Sequence, residues 1–134
     1  MGFFSFFKKK KKKQEYKLSE EDLKWNKMWD LWCNGEIESP YRELMEYSGG
    51  INNGGHHMHY DNIAGNSNLK EYVDQLVLIL PEPLKSNALL AYRTYKDELS
   101  GEDIETMDKC DTVFYQNEKL IDDLLKNRAS KIEL

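Results

Sequence analysis

Asn68-Leu69-Lys70-Glu71-Tyr72-Val73-Asp74-Gln75-Leu76-Val77-Leu78-Ile79-Leu80-Pro81-Glu82-Pro83 is the clearest helical text in this chain. Leu69, Tyr72, Val73, Leu76, Val77 and Leu80 recur at the three- and four-residue steps that line up on one side of an α-helix. Asn68 is a natural N-cap. Pro81 and Pro83 forbid continuation, because proline lacks the N–H and clashes with the preceding turn. The same grammar extends in both directions, and no segment alternates convincingly as a strand.

Upstream, Ser19-Glu20-Glu21-Asp22 resembles a capping box, with Leu18 and Leu23 at the two staple positions. Trp25, Met28, Trp29, Trp32 and Cys33 then share one helical face, read as core, before Asn34-Gly35 stops the helix. Ser39-Pro40 reads as cap plus first-turn proline for a helix carrying Tyr41, Leu44, Met45 and Ser48 inward and ending at Gly49-Gly50. An Asn-Gly turn follows, and His56 to Ile63 form a short helix closed by Gly65. Downstream of Pro83, Leu84, Ala88, Ala91, Tyr92, Tyr95 and Leu99 share one side of a helix that Ser100-Gly101 interrupts. Asp111 reads as the cap of a last long helix that buries Val113, Phe114, Leu120, Ile121, Leu124 and Leu125. The expectation is an all-α fold, a compact array of about five to seven helices in a single domain.

Length and charge are consistent with that. The chain has 134 residues and a formal net charge of −5, enough for one core. The charge is split. Residues 1 to 17 hold seven lysines against Glu15, whereas residues 18 to 134 hold twelve basic and twenty-three acidic side chains. The expected organisation is therefore a Phe/Lys arm over 1–17 and a helical domain over 18–134. Four phenylalanines beside Lys8 to Lys13 in residues 1–13 form a surface-associating arm suited to peripheral contact with an anionic membrane, or a solvated tail. No apolar run approaches the ~20 residues of a membrane span. Cys33 and Cys110 form no Cys-x-x-Cys pair and read as small core residues of a cytoplasmic protein. An acidic body repels nucleic acid, so direct binding of DNA by the folded part is not expected.

Ile51-Asn52-Asn53-Gly54-Gly55-His56-His57-Met58-His59-Tyr60-Asp61-Asn62 couples a turn built from Asn and Gly to a block of ring-bearing side chains. His56, His57, His59 and Asp61 offer imidazole and carboxylate close together, the donor types that bind zinc or exchange protons. The i, i+4 pairing of zinc helices is missing, however, and no second ligand cluster appears. Phosphate-loop, nucleophile-elbow and dinucleotide fingerprints are missing as well. No catalytic residue, cofactor or metal is assigned.

Asn53, Gly54, Gly55, His56, His59, Tyr60 and Asn62, together with Asp111-Thr112-Val113-Phe114-Tyr115, resemble the motif of a bacterial family of small all-helical domains named after an acidic DNA-mimic protein. Most members of that family have no assigned function. Met58 stands where the family has Gln, and His59 where it has an aromatic. The resemblance spans roughly Ile51 to Leu125 and implies a module whose carboxylates stand in for phosphates in a DNA-binding protein's basic site. The acids suited to that role are Asp97, Glu98, Glu102, Asp103, Glu105, Asp108 and Asp111, opposed in that segment only by Lys109, and Glu118, Asp122 and Asp123 extend them. Two alternatives remain open: an immunity-type inhibitor of a basic toxin and a His-dependent metal enzyme.

Overall fold

The computed structural model describes residues 17–97 and 101–134. The arm over residues 1–16, together with Glu98, Leu99 and Ser100, lies outside the described residues. Within them the fold is all-α, with helices α1 (Glu20–Cys33), α2 (Tyr41–Asn66), α3 (Leu69–Ile79), α4 (Leu84–Lys96), α5 (Gly101–Gln116) and α6 (Glu118–Ala129). None of them is long and apolar enough to cross a membrane. The architecture is therefore the expected one, but several boundaries moved for physical reasons.

α2 is the axis of the bundle and packs against α3, α4, α5 and α6. It does not end at Gly49-Gly50, nor does Gly65 close its second half. The helix runs on to Asn66 and is broken inside only at Gly55, where φ is +85° and ψ is 176°. Glycine lowers helix stability without terminating hydrogen bonding, so packing on four neighbours carries the helix through. Tyr47, Ile51, Tyr60 and Ile63 line its buried side with Leu44 and Met45, while Ser48 and Tyr41 are only half-buried.

The expected last helix is two helices. Asp111 sits in the middle of α5, and the break comes at Asn117, whose backbone leaves helical geometry and whose side chain donates to the carbonyl of Val113. Phe114, Ile121 and Leu125 are buried as expected, whereas Leu120 is exposed. Asn68 and Ser19 do cap α3 and α1 through their side chains, and the Ser19–Asp22 capping box is complete. Leu18 and Leu23 are exposed rather than stapled into a core. Ser39 is not a cap: Pro40 holds the N-cap position without a side-chain bond, and the Ser39 hydroxyl donates to Glu43 instead.

α1 packs on α6 at the edge of the array, held there by Lys24 and Lys27, which donate to the carbonyls of Ser130 and Glu133. A peripheral helix buries only the centre of its apolar face. Met28 is therefore fully buried, Trp25, Trp29 and Trp32 are half-buried in successive edge-on contacts, and Cys33 is exposed, not a core residue. Cys110 is buried, and burial pushes its thiol up to about 11.

Candidate functional site

The break at Gly55 frees the first N–H groups of the second half of α2, and a buried helix start needs acceptors for them. Asp111 of α5 supplies one. Its Oδ1 accepts from the His56 N–H at 2.8 Å and from His56 Nδ1 at 2.7 Å. A carboxylate only accepts, so Nδ1 donates to it, and on the other side of the ring Nε2 lies 2.6 Å from the Tyr47 hydroxyl. Tyr47 and His56 have no solvent exposure. The result is a closed chain, Tyr47 to His56 to Asp111, that ties the two halves of α2 to α5. Its carboxylate also faces the positive end of a helix, where negative charge is favoured.

His59 forms a second, separate pair. Its Nε2 lies 2.6 Å from the Tyr72 hydroxyl, which stands 3.4 Å from the carbonyl of Glu43, so the shorter contact dominates. Tyr60 donates to the carbonyl of Ala88 at 3.0 Å, joining α2 to α4. Burial raises the phenols of Tyr47, Tyr60 and Tyr72 above their ordinary value, which keeps them as donors. Burial first, and the nearby His56 second, lower His59 from 6.5 to about 4. At neutral pH the His59 ring is uncharged.

That shift has a consequence for stability. Above about pH 6.5 His59 is neutral in both the folded and the unfolded chain, and its contribution is complete. Between 6.5 and about 4 only the unfolded chain takes up the proton, so stability falls; below about 4 both forms are protonated and the loss is finished. The expected loss across this window is about 3 kcal/mol. Urea unfolding at pH 7.5 and 4 checks it, with His59→Gln expected to flatten the slope. An unchanged slope in that variant would remove His59 as its source.

The histidines and Asp61 do not converge on one point. His57 is exposed and faces the ring of Tyr95, whose hydroxyl donates to Asp61 at 2.9 Å. No group of three His, Cys, Asp or Glu among the described residues is placed to hold a metal ion. Of the remaining motif residues, Asn53, Gly54 and Asn62 are exposed. Gly55 lies against Asp111, and a Cβ there would sit 2.5 Å from Asp111 Oδ2.

The seven acids separate into distinct settings. Glu102, Glu105 and Asp108 are exposed on one stripe of α5, with Lys109 3.9 Å from Glu105. Asp97 is exposed just past the end of α4, Asp103 is half-buried, Glu98 lies outside the described residues, and Asp111 is turned inward onto His56. Glu118 accepts from Asn52, Asp123 pairs with Lys119 at 2.9 Å, and Asp122 is half-buried with its carboxyl raised by burial and then by Glu118. Sequence reading missed Tyr47 as the third member of the buried chain, although Glu43, Tyr47 and Ile51 follow one another at four-residue steps on a single face. No family model, curated protein or solved structure matches this chain.

Proposed function

We propose that this chain is a non-enzymatic acidic binding module that occupies the basic site of a DNA-binding protein. The observation that carries the reading is the exposed stripe of Glu102, Glu105 and Asp108 on α5. Residues three apart on a helix climb about 4.5 Å along its axis. That step is comparable with the ~3.4 Å rise between phosphates of one DNA strand, so a basic groove meets charges at a familiar interval. The imidazoles of His56 and His59 are engaged in internal hydrogen bonds, which supports a scaffold role for them over chemistry on a substrate. The membrane contact expected of the Phe/Lys arm is a separate matter, tested by flotation on anionic vesicles with and without residues 1–13.

The test is affinity capture from native cytosol at low and high salt, using the full chain and a Glu102→Lys/Glu105→Lys/Asp108→Lys variant. A protein retained by the wild type at low salt, released by added DNA and lost in the reversal variant is the expected result. Screening over about 10 Å at 0.1 M salt makes the release salt-dependent. Equal retention by the reversal variant would dispose of the α5 stripe as the contact. Retention that DNA does not compete with would transfer the reading to inhibition of a basic toxin.

A further inference from the structure

α1 and α6 lie side by side and leave between them a groove of about 590 Å³. The half-buried indole of Trp25 and the buried methyl of Ala129 give it apolar surface, which the aliphatic stems of Lys24 and Lys126 extend. Glu20, Glu21 and Asp22, exposed in the first turn of α1, and the half-buried Asp122 of α6 line it as well. Lys24 is engaged by the carbonyl of Ser130 at 3.2 Å and by Glu20 at 3.6 Å. Four carboxylates against two ammonium groups leave the groove negative around an indole that two helices cover only in part. An occupant must therefore bring apolar rings and positive charge together.

The chain carries such a segment next to the groove. The described residues begin at Lys17, three positions before α1, and residues 1–13 hold Phe3, Phe4, Phe6 and Phe7 followed by Lys8 to Lys13. Four residues separate Lys13 from Leu18. They span at most about 14 Å, enough to reverse direction and no more than that. The order of the side chains fits a reversal. Counting back from α1, the lysines come first and meet the first-turn acids, and the phenylalanines follow. Trp25 lies about 7.5 Å beyond Glu20 along the axis of α1, on the side to which those rings would run.

We propose that residues 1–13 of the same chain occupy this groove, with Lys8 to Lys13 against Glu20, Glu21, Asp22 and Asp122 and the phenylalanines against Trp25 and Ala129. Attachment through so short a connection holds the arm at an effective concentration in the millimolar range, so contacts of only millimolar strength fill the groove about half of the time. The groove lies on other helices than the α5 stripe, and the arm needs no partner protein, so this contact stands or falls independently of the reading above.

The experiment places a nitroxide in the arm of the full chain and reads the broadening of backbone amides. Cys33 is exposed and is replaced by serine, Cys110 is buried, and Ser5→Cys carries the label among the phenylalanines. Broadening centred on Asp22, Trp25, Asp122 and Ala129 is expected. Between 0.1 and 1 M salt the screening length falls from about 10 to about 3 Å, and the broadening should fall by about half or more. In a second full chain, Phe3→Ser/Phe4→Ser/Phe6→Ser/Phe7→Ser keeps every lysine and changes nothing in the helical core. It should lose most of the effect at Trp25 and Ala129. A mixture of labelled chains with unlabelled, isotope-enriched chains distinguishes the chain's own arm from that of a second copy. Broadening spread evenly over the molecule, undiminished by salt, unchanged by removal of the rings, or present only between chains would overturn the proposal.

Discussion

Asp111→Ala lowers the unfolding free energy by about 3 to 5 kcal/mol, because it leaves two buried donors of His56 without an acceptor. Both donors, the backbone N–H and Nδ1, end on the same oxygen, Oδ1. Asp111→Asn keeps a neutral acceptor at that position and is expected to cost only about 1 to 2 kcal/mol, the difference between a charged and a neutral partner. In a thermal melt the alanine variant falls by about 10 to 20 °C. Tyr47→Phe adds a second measurement, since it removes the hydroxyl bonded to Nε2 at the other end of the chain. Groups in one network couple, so the double variant Tyr47→Phe/Asp111→Ala should lose less than the sum of the single losses. Strict additivity, or an Asp111→Ala variant as stable as wild type, would show that the carboxylate does not hold the two helices together.

The contrast between Asp111 in the sequence and Asp111 in the fold shows where legibility ends. Periodicity is local, and it located α1, α3 and α4 because the buried residues Met28, Leu76 and Ala88 keep their helical step. Caps are local too, so Ser19 and Asn68 were readable three residues ahead of their partners. Asp111 also caps a helix start, but one that lies fifty-five residues away. Nothing in its own neighbourhood distinguishes it from the surface acids Glu105 and Asp108. The glycines misled in the opposite direction. By a local rule Gly49 and Gly50 read as a stop, whereas Gly50 is required because any Cβ there would collide with the ring of His59. Its reason is a packing contact nine residues on, which a local rule reads as flexibility. Glu43 escaped notice because a carboxylate on an apolar face looks like an error of phase until Ser39 and Arg42 are seen beside it.

Gly54 and Gly55 are adjacent in sequence, and alanine at the two positions should separate them by several kcal/mol. At Gly55 two costs combine. A backbone with φ of +85° and ψ of 176° is glycine territory, and a side chain there costs about 1 to 3 kcal/mol. The new Cβ also lies 2.5 Å from Oδ2 and 3.1 Å from Cγ of Asp111, so the carboxylate must withdraw and loosen its hold on His56. Gly55→Ala is therefore expected to cost about 4 to 5 kcal/mol, at least as much as Asp111→Ala. At Gly54 the atom in the way is the thioether of Met58, the end of a flexible and exposed side chain, and the backbone is ordinary. Gly54→Ala should be within about 1 kcal/mol of wild type, the helical preference of alanine offsetting the displaced sulfur. The double variant Gly55→Ala/Asp111→Ala separates strain from lost bonding. With no carboxylate to strike, its added cost over Asp111→Ala falls to the backbone part alone, about 1 to 3 kcal/mol. Denaturant midpoints for the wild type and these four variants decide the matter. Equal losses at Gly54 and Gly55 would mean that the kink is soft, and that the carboxylate of Asp111 follows the break in α2 without constraining it.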